Sequence, residues 1–276
     1  MNRLLLFSLL LAACQAGTSQ QPITAITRNT DSLPVSNAAF DSSSLYIHVF
    51  VALCDNDNQG IVPVPKAIGN GQDPDKNLYW GCGNGIRTYF KNSKEWKLVK
   101  QYRMDNVRLE RLIFRHVQSS AYLIADAYDG RYIKQCTVDF LKSCAGLLKD
   151  TAQVKDRVLG TNGNARLLAY IGHDGLMDFD LQEHFAGTDS IRRDAIILAC
   201  MSRDYFSPHL APTRARPLLW TTGLMCPEAY TLHDALSSYI SIQPAENVRE
   251  RAAKAYAKYQ KCSEKAAKGL LVSGWK

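Results

Sequence analysis

Leu167-Leu168-Ala169-Tyr170-Ile171-Gly172 runs into His173-Asp174-Gly175, and Ala195-Ile196-Ile197-Leu198-Ala199 runs into Cys200. These two short apolar runs, each ending on a reactive side chain, decide the fold. Runs of this length with no polar alternation predict strands buried on both faces of a parallel sheet. The segment from Asp174 to Arg193 is long enough for the crossover that a parallel pair requires. Parallel neighbours finish at one carboxyl edge, so His173 and Cys200 are expected to emerge together. That edge is where open α/β sheets bind ligands. A thiol facing an imidazole there is a candidate nucleophile and base.

Outward from this pair, the same periodicity arguments place further elements. Leu45 to Cys54, Ala121 to Ala127 and Pro217 to Thr222 are β-rich apolar runs. A long loop crowded with Gly, Pro, Asn and Asp covers Asp55 to Gly85. Ile86 to about Lys94 reads as a helix, Glu95 to Lys100 as a short strand or hairpin arm, and Arg111 to Arg115 is ambiguous. Tyr132 to Ala145 carries Ile133, Cys136, Phe140, Leu141 and Cys144 on one side, and Gly146 stops it. Pro227 suits the start of a helix through about Tyr239, and 245–268 reads as a last helix with a basic face. Strands alternating with helices predict an α/β fold of three layers: a mainly parallel sheet with helices on both faces.

The strand-end residues resemble those of the caspase-like cysteine peptidases. That superfamily places a catalytic His after one central strand, commonly as His-Gly, and a Cys after the next, commonly preceded by Ala. This chain offers Ile171-Gly172-His173-Asp174-Gly175 and Leu198-Ala199-Cys200-Met201-Ser202. As architecture the resemblance covers roughly residues 45–240; as motif it covers about ten residues. It implies a caspase-like fold, a hydrolase of peptide or amide bonds, Cys200 as nucleophile and His173 as general base and later acid. It implies that a backbone N–H near Gly175 helps hold the oxyanion. The pattern departs from the family at Asp174, which stands where Gly usually follows His and either displaces that donor or orients the imidazole. The loop after the next strand borders the substrate pocket in that scheme, which makes Thr222, Gly223 and Glu228 pocket candidates. The alternative function is a binding scaffold of the same fold without catalysis, since fold alone does not carry function.

Three other groupings are weaker. Asp174, Asp178 and Asp180 with His173 and His184 form an acidic strand-end loop, but without the spacing of a metal site; capping and solvated charge explain it better, and no metal is expected. Asp55 to Gly60 imitates the opening of a calcium loop, yet Lys66 stands where its bidentate Glu belongs, so a side-chain-held turn is expected. Gly81-Cys82-Gly83-Asn84-Gly85 precedes a helix with bare amides but matches neither a P-loop nor a dinucleotide fingerprint, so no cofactor is expected.

At the amino terminus, Met1-Asn2-Arg3 and the apolar stretch Leu4 to Ala13 suit a secretory signal, 1–13, too short to span a bilayer. Leu11-Ala12-Ala13-Cys14 resembles the lipobox of bacterial lipoproteins, which implies a lipid on Cys14. Gln15, in place of Asp, implies outer-membrane sorting, facing the periplasm or the surface. Residues 14–42 are a polar tether and 43–276 a single domain. The expected partners are the membrane, through that lipid, and a peptide or protein substrate. The formal net charge of +7 is concentrated late, around Arg249 to Lys268, as a solvated face or a surface for anionic lipid or glycan. No nucleic-acid recognition motif is present and no such partner is expected. Of eight cysteines, lipidation leaves an odd seven. In an oxidising compartment one is then unpaired or bridged between chains, while the others either form bridges or pack as small hydrophobes.

Overall fold

The structure is a computed structural model and describes residues 39–275. The expected signal at 1–13, the lipid site at Cys14 and the tether up to residue 38 lie outside the described residues.

The chain is α/β and built on one eight-stranded sheet. Its strands are β1 (Leu45–Ala52), β2 (Trp96–Arg103), β3 (Arg108–His116), β4 (Ala121–Tyr128), β7 (Leu167–Ile171), β8 (Asp194–Leu198), β9 (Arg216–Thr221) and β10 (Leu271–Val272). A separate hairpin pairs β5 (Lys149–Val154) with β6 (Arg157–Asn162). The spatial order is β10-β9-β8-β7-β1-β4-β3-β2. Within it β4, β1, β7, β8 and β9 run parallel, while at the two sides β10 pairs antiparallel with β9, β3 antiparallel with β4, and β2 antiparallel with β3. The chain starts in the middle at β1, steps to β4, then returns to β7 on the other side. Strand order therefore reverses between β1 and β7, and such a reversal leaves a crevice outside the carboxyl ends of those two strands.

Alternation along the strands sorts side chains to two layers. On one face Ile47, Val49 and Val51 meet helices α1 (Ile86–Asn92), α4 (Ala229–Ile240), α5 (Ala245–Gln260) and α6 (Glu264–Leu270). On the other, Tyr46, Phe50, Tyr170 and Ile197 meet α2 (Ile133–Cys144) and α3 (Ser202–Leu210). The three-layer expectation holds. Gly146, at φ 73°, ends α2 as the sequence suggests. Ser93 Oγ, bonded to His233 Nε2 at 2.8 Å, clasps the end of α1 to α4.

Several local expectations change. The single helix expected over 245–268 is two, because Lys261 adopts φ 53° and breaks the ladder before Ser263 caps α6 through its bond from Ala266 N. The crossover from Asp174 to Arg193 contains a short 3-10 turn, Gly175–Met177, and otherwise irregular chain. The ambiguous segment around Arg111 to Arg115 is strand β3, paired with β4. All seven described cysteines are unpaired.

Inside the sheet lies a charged group with no access to water. Asp126 on β4 receives Arg111 Nε and Nη2 from β3, each at 2.6 Å, and His48 Nε2 from β1 at 3.1 Å. Asn162 N donates to His48 Nδ1 at 2.8 Å, so Nε2 carries the imidazole proton and donates it to Asp126. Removing one partner of a buried pair strands the other charge, which typically costs about 3–5 kcal/mol. Arg111→Met is expected to lower the unfolding free energy by about that amount. Urea denaturation at pH 7 checks this; a loss of under about 1 kcal/mol, the range of surface pairs, would contradict the account.

Candidate functional site at the carboxyl edge

The five parallel strands deliver their following loops to one edge. Leu53 to Gly85 follows β1, Asp129 to Arg131 follows β4, His173 to Asp178 follows β7, Cys200 follows β8, and Thr222 to Glu228 follows β9. His173 stands beside the β1–β7 reversal, and Cys200 is on the next strand over.

The long loop after β1 has few backbone ladders of its own, so side chains hold it. Asn77, almost fully buried, accepts from Cys54 N at 3.1 Å and donates to Cys54 O at 2.8 Å. Gln59 donates to Leu53 O at 2.8 Å and Gly130 O at 3.2 Å. Asp55 accepts from Gln72 at 2.6 Å and Asn58 at 3.0 Å. Asn56 holds Val64 through both its amide atoms, at 2.7 and 3.0 Å, the side-chain-held turn expected from the sequence. The loop then reaches across to the β7 end, where Gly60 N donates to Asp178 Oδ2 at 2.9 Å. A Cβ at residue 60 would press on the Asp178 carboxylate, which would have to swing aside, so glycine allows this close approach.

His173 is 6% exposed, and its Nε2 bonds the same Asp178 oxygen at 2.8 Å. Its backbone carbonyl accepts from Tyr170 Oη at 2.8 Å. Asp178 thus fixes the ring from one nitrogen and leaves Nδ1 as the nitrogen with no protein partner among the described residues. The sequence offers Asp178 only as one acid of a loop; its pairing to His173 was not legible because the 3-10 turn that brings it back was not.

Asp174 is fully buried, and its Oδ1 accepts from Leu176 N at 3.0 Å, capping the 3-10 turn. Its Oδ2 has no partner among the described residues. Burial, with the neighbouring Asp178 charge adding, pushes its pKa up to about 7. Gly175 is buried, its position pressed between the Phe179 ring and Ile133.

Cys200 is half-buried at a sharp strand-to-helix turn. Met201 after it adopts φ 48°, ψ 29°, a left-handed conformation that non-glycine residues rarely take and that clusters at functional positions. Its Sγ accepts from Met225 N at 3.4 Å and donates to Met225 O at 3.6 Å. Burial raises the thiol pKa, Met225 N opposes this, and the Asp174 charge raises it further. The three pocket candidates lie on the loop after β9. Thr222 Oγ1 donates to Gly269 O at 2.9 Å and so anchors α6. Gly223 O accepts from Met201 N at 2.8 Å, tying this loop to the Cys200 turn. Glu228 accepts from Tyr230 Oη at 2.9 Å.

Among the described residues no group of three or more His, Cys, Asp or Glu side chains is placed to hold a metal ion, and no helix is long and apolar enough to cross a membrane. No protein-family model, curated protein or solved structure matches this chain.

The Coulombic link from Asp174 to Cys200 gives a test of the site's electrostatics. Asp174→Asn removes a charge that disfavours thiolate, so the Cys200 pKa falls. Peptide-resolved mass spectrometry of alkylation against pH is expected to show the Cys200 profile shifted to lower pH in the variant. An unmoved profile would separate the two groups.

Proposed function

We propose that the chain is a Cys/His-dependent hydrolase of peptide or amide bonds with a caspase-like fold, carried on a lipid-anchored envelope protein. One observation carries the reading: His173 and Cys200 close adjacent parallel strands, at the carboxyl edge and beside the strand-order reversal, where ligands bind. The lipobox-like Leu11 to Cys14 supports the anchor and, with Gln15, an outer-membrane location.

The chemistry follows from the resting protonation of each group. Cys200 rests as a thiol, because its pKa lies above the ordinary thiol value. Attack therefore requires proton removal as the bond forms. Cys200 Sγ adds to the carbonyl carbon while its proton passes to His173 Nδ1, the nitrogen left open by the Asp178 bond. Collapse to a thioester expels the amine, which takes the proton back from His173. Water, deprotonated by the same imidazole, then hydrolyses the thioester and restores the thiol. Asp178 orients the ring and favours the imidazolium that forms. A backbone N–H near Gly175 is the candidate to hold the oxyanion. Thr222 anchors α6, while Gly223 and Glu228 remain candidates to border the substrate.

A second reading, a non-catalytic scaffold, is favoured by the near-complete burial of His173 and the raised thiol pKa. Labelling with a peptidyl electrophile that traps thiols separates the two. A hydrolase is labelled at Cys200, loses labelling in Cys200→Ala, and slows by about 10²-fold or more in His173→Ala, the usual size of a general-base contribution. Labelling that is unchanged by Cys200→Ala would overturn the proposal.

A further inference from the structure

The opposite edge of the sheet holds a second concavity unrelated to Cys200. The amino ends of β1, β4, β7, β8 and β9 surround a cavity of about 620 Å³. This is within the size range of small-molecule sites. Arg166, Arg192 and Arg216 line it together with one carboxylate, Asp194.

That carboxylate does not neutralise the cluster. Asp194 Oδ1 accepts from Arg216 Nε at 2.8 Å and Oδ2 from Tyr239 Oη at 2.9 Å, so both oxygens are engaged. Arg166 and Arg192 have no side-chain hydrogen bond or ion pair among the described residues. The contrast with the adjacent Arg193 is direct. Arg193 is buried and saturated, with Asp189 at 2.7 and 2.9 Å and Gly163 O at 2.7 Å. One arginine of the pair serves the fold; its neighbour, exposed to solvent, lines the cavity with no protein partner among the described residues. The planar guanidinium fork matches phosphate and carboxylate oxygens in pairs.

The other wall is apolar and includes Leu218, Ile240 and Ile242. Ile242 is 91% exposed and has φ 55°. This conformation ends α4: Gln243 N donates to Ser238 O at 3.1 Å and Ile242 N to Tyr239 O at 3.0 Å, and the turn leaves the apolar Ile242 side chain at the cavity rim. The start of α5 has no side-chain cap, and of its first turn Ala245 lines the cavity with its backbone N–H.

We propose that this amino-edge cavity binds an acidic amphiphile: a phosphodiester or carboxylate head on Arg166 and Arg192, with Arg216 beside them, and an apolar body against Ile242, Ile240 and Leu218. The site is independent of the hydrolase reading, since it lies on the opposite edge of the sheet.

The test uses the full chain carrying Cys14→Ser, so that no acyl group is attached. Isothermal titration compares two acidic probes, dihexanoylphosphatidylglycerol and decanoate, with zwitterionic dihexanoylphosphatidylcholine and inorganic phosphate. At least one acidic probe is expected to bind at least about tenfold more tightly than either control, a difference set by charge-assisted bonds and buried apolar area together. Which probe binds identifies the head group. Arg166→Gln with Arg192→Gln is expected to abolish that preference, and Ile242→Gly to weaken the acidic amphiphile while leaving phosphate unchanged. Cys200→Ala binds as the unaltered chain does. Failure of both acidic probes, full binding by the double arginine variant, or phosphate binding as tightly as the amphiphile would overturn the proposal.

Discussion

Asp126 is the constraint on which the sheet depends. A carboxylate buried in the middle of a strand is tolerable only if every strong acceptor direction is met by a donor. Arg111 supplies two bonds from β3 and His48 a third from β1, so one side chain fixes the lateral order of three strands. The chain extends further, because His48 can donate to Asp126 only if its other nitrogen is an acceptor, and Asn162 N at the end of β6 meets that nitrogen. Arg111 and His48 hold the Asp126 carboxyl well below the usual carboxylate range, while burial lowers the His48 pKa. In both groups the unfolded chain takes up protons that the folded chain refuses as pH falls. The depressed carboxyl contributes stability that is present above about pH 4 and lost on acidification through its folded pKa; the imidazole begins to oppose folding below about pH 6.5.

With β1 and β4 fixed in this way, the reversal between β1 and β7 follows, and with it the crevice. The loop after β1 then crosses the opening and contacts the β7 end through Gly60 and Asp178. One carboxylate therefore holds both the imidazole and the loop that walls its crevice. The loop and the ring share a single acceptor oxygen, Asp178 Oδ2.

What the sequence revealed tracks how completely an element is buried. β1, β7, β8 and β9 sit between two helical layers, and their uninterrupted apolar runs can be read directly. The β5–β6 hairpin was not visible. Lys149-Asp150-Thr151-Ala152-Gln153-Val154 pairs with one neighbour and is mostly half-buried, with a single fully buried residue, so it carries no strong period. The helix α3 is short, contains Pro208, and has few apolar positions to betray it. At the site, the strand-end positions of His173 and Cys200 were legible because they depend on strand ends alone. Asp178 was not, since its role depends on a 3-10 turn capped by Asp174. Nor was the amino-edge cavity, which gathers Arg166, Arg192 and Arg216 from three strand starts that only the sheet order brings together.

The electrostatics of the Cys200 edge differ from those of a preformed thiolate–imidazolium pair. Such a pair needs a depressed thiol pKa, usually supplied by an adjacent cation or a helix start. Here burial and the Asp174 charge act in the opposite direction, and Asp174 itself is raised to about 7, so near neutrality it is divided between its charged and neutral forms. Protonation of Asp174 removes the repulsion that disfavours thiolate, whereas its ionisation strengthens it. Asp174 therefore acts on the Cys200 thiol in the opposite sense to the thiol's own titration: as pH rises its ionisation favours the neutral thiol.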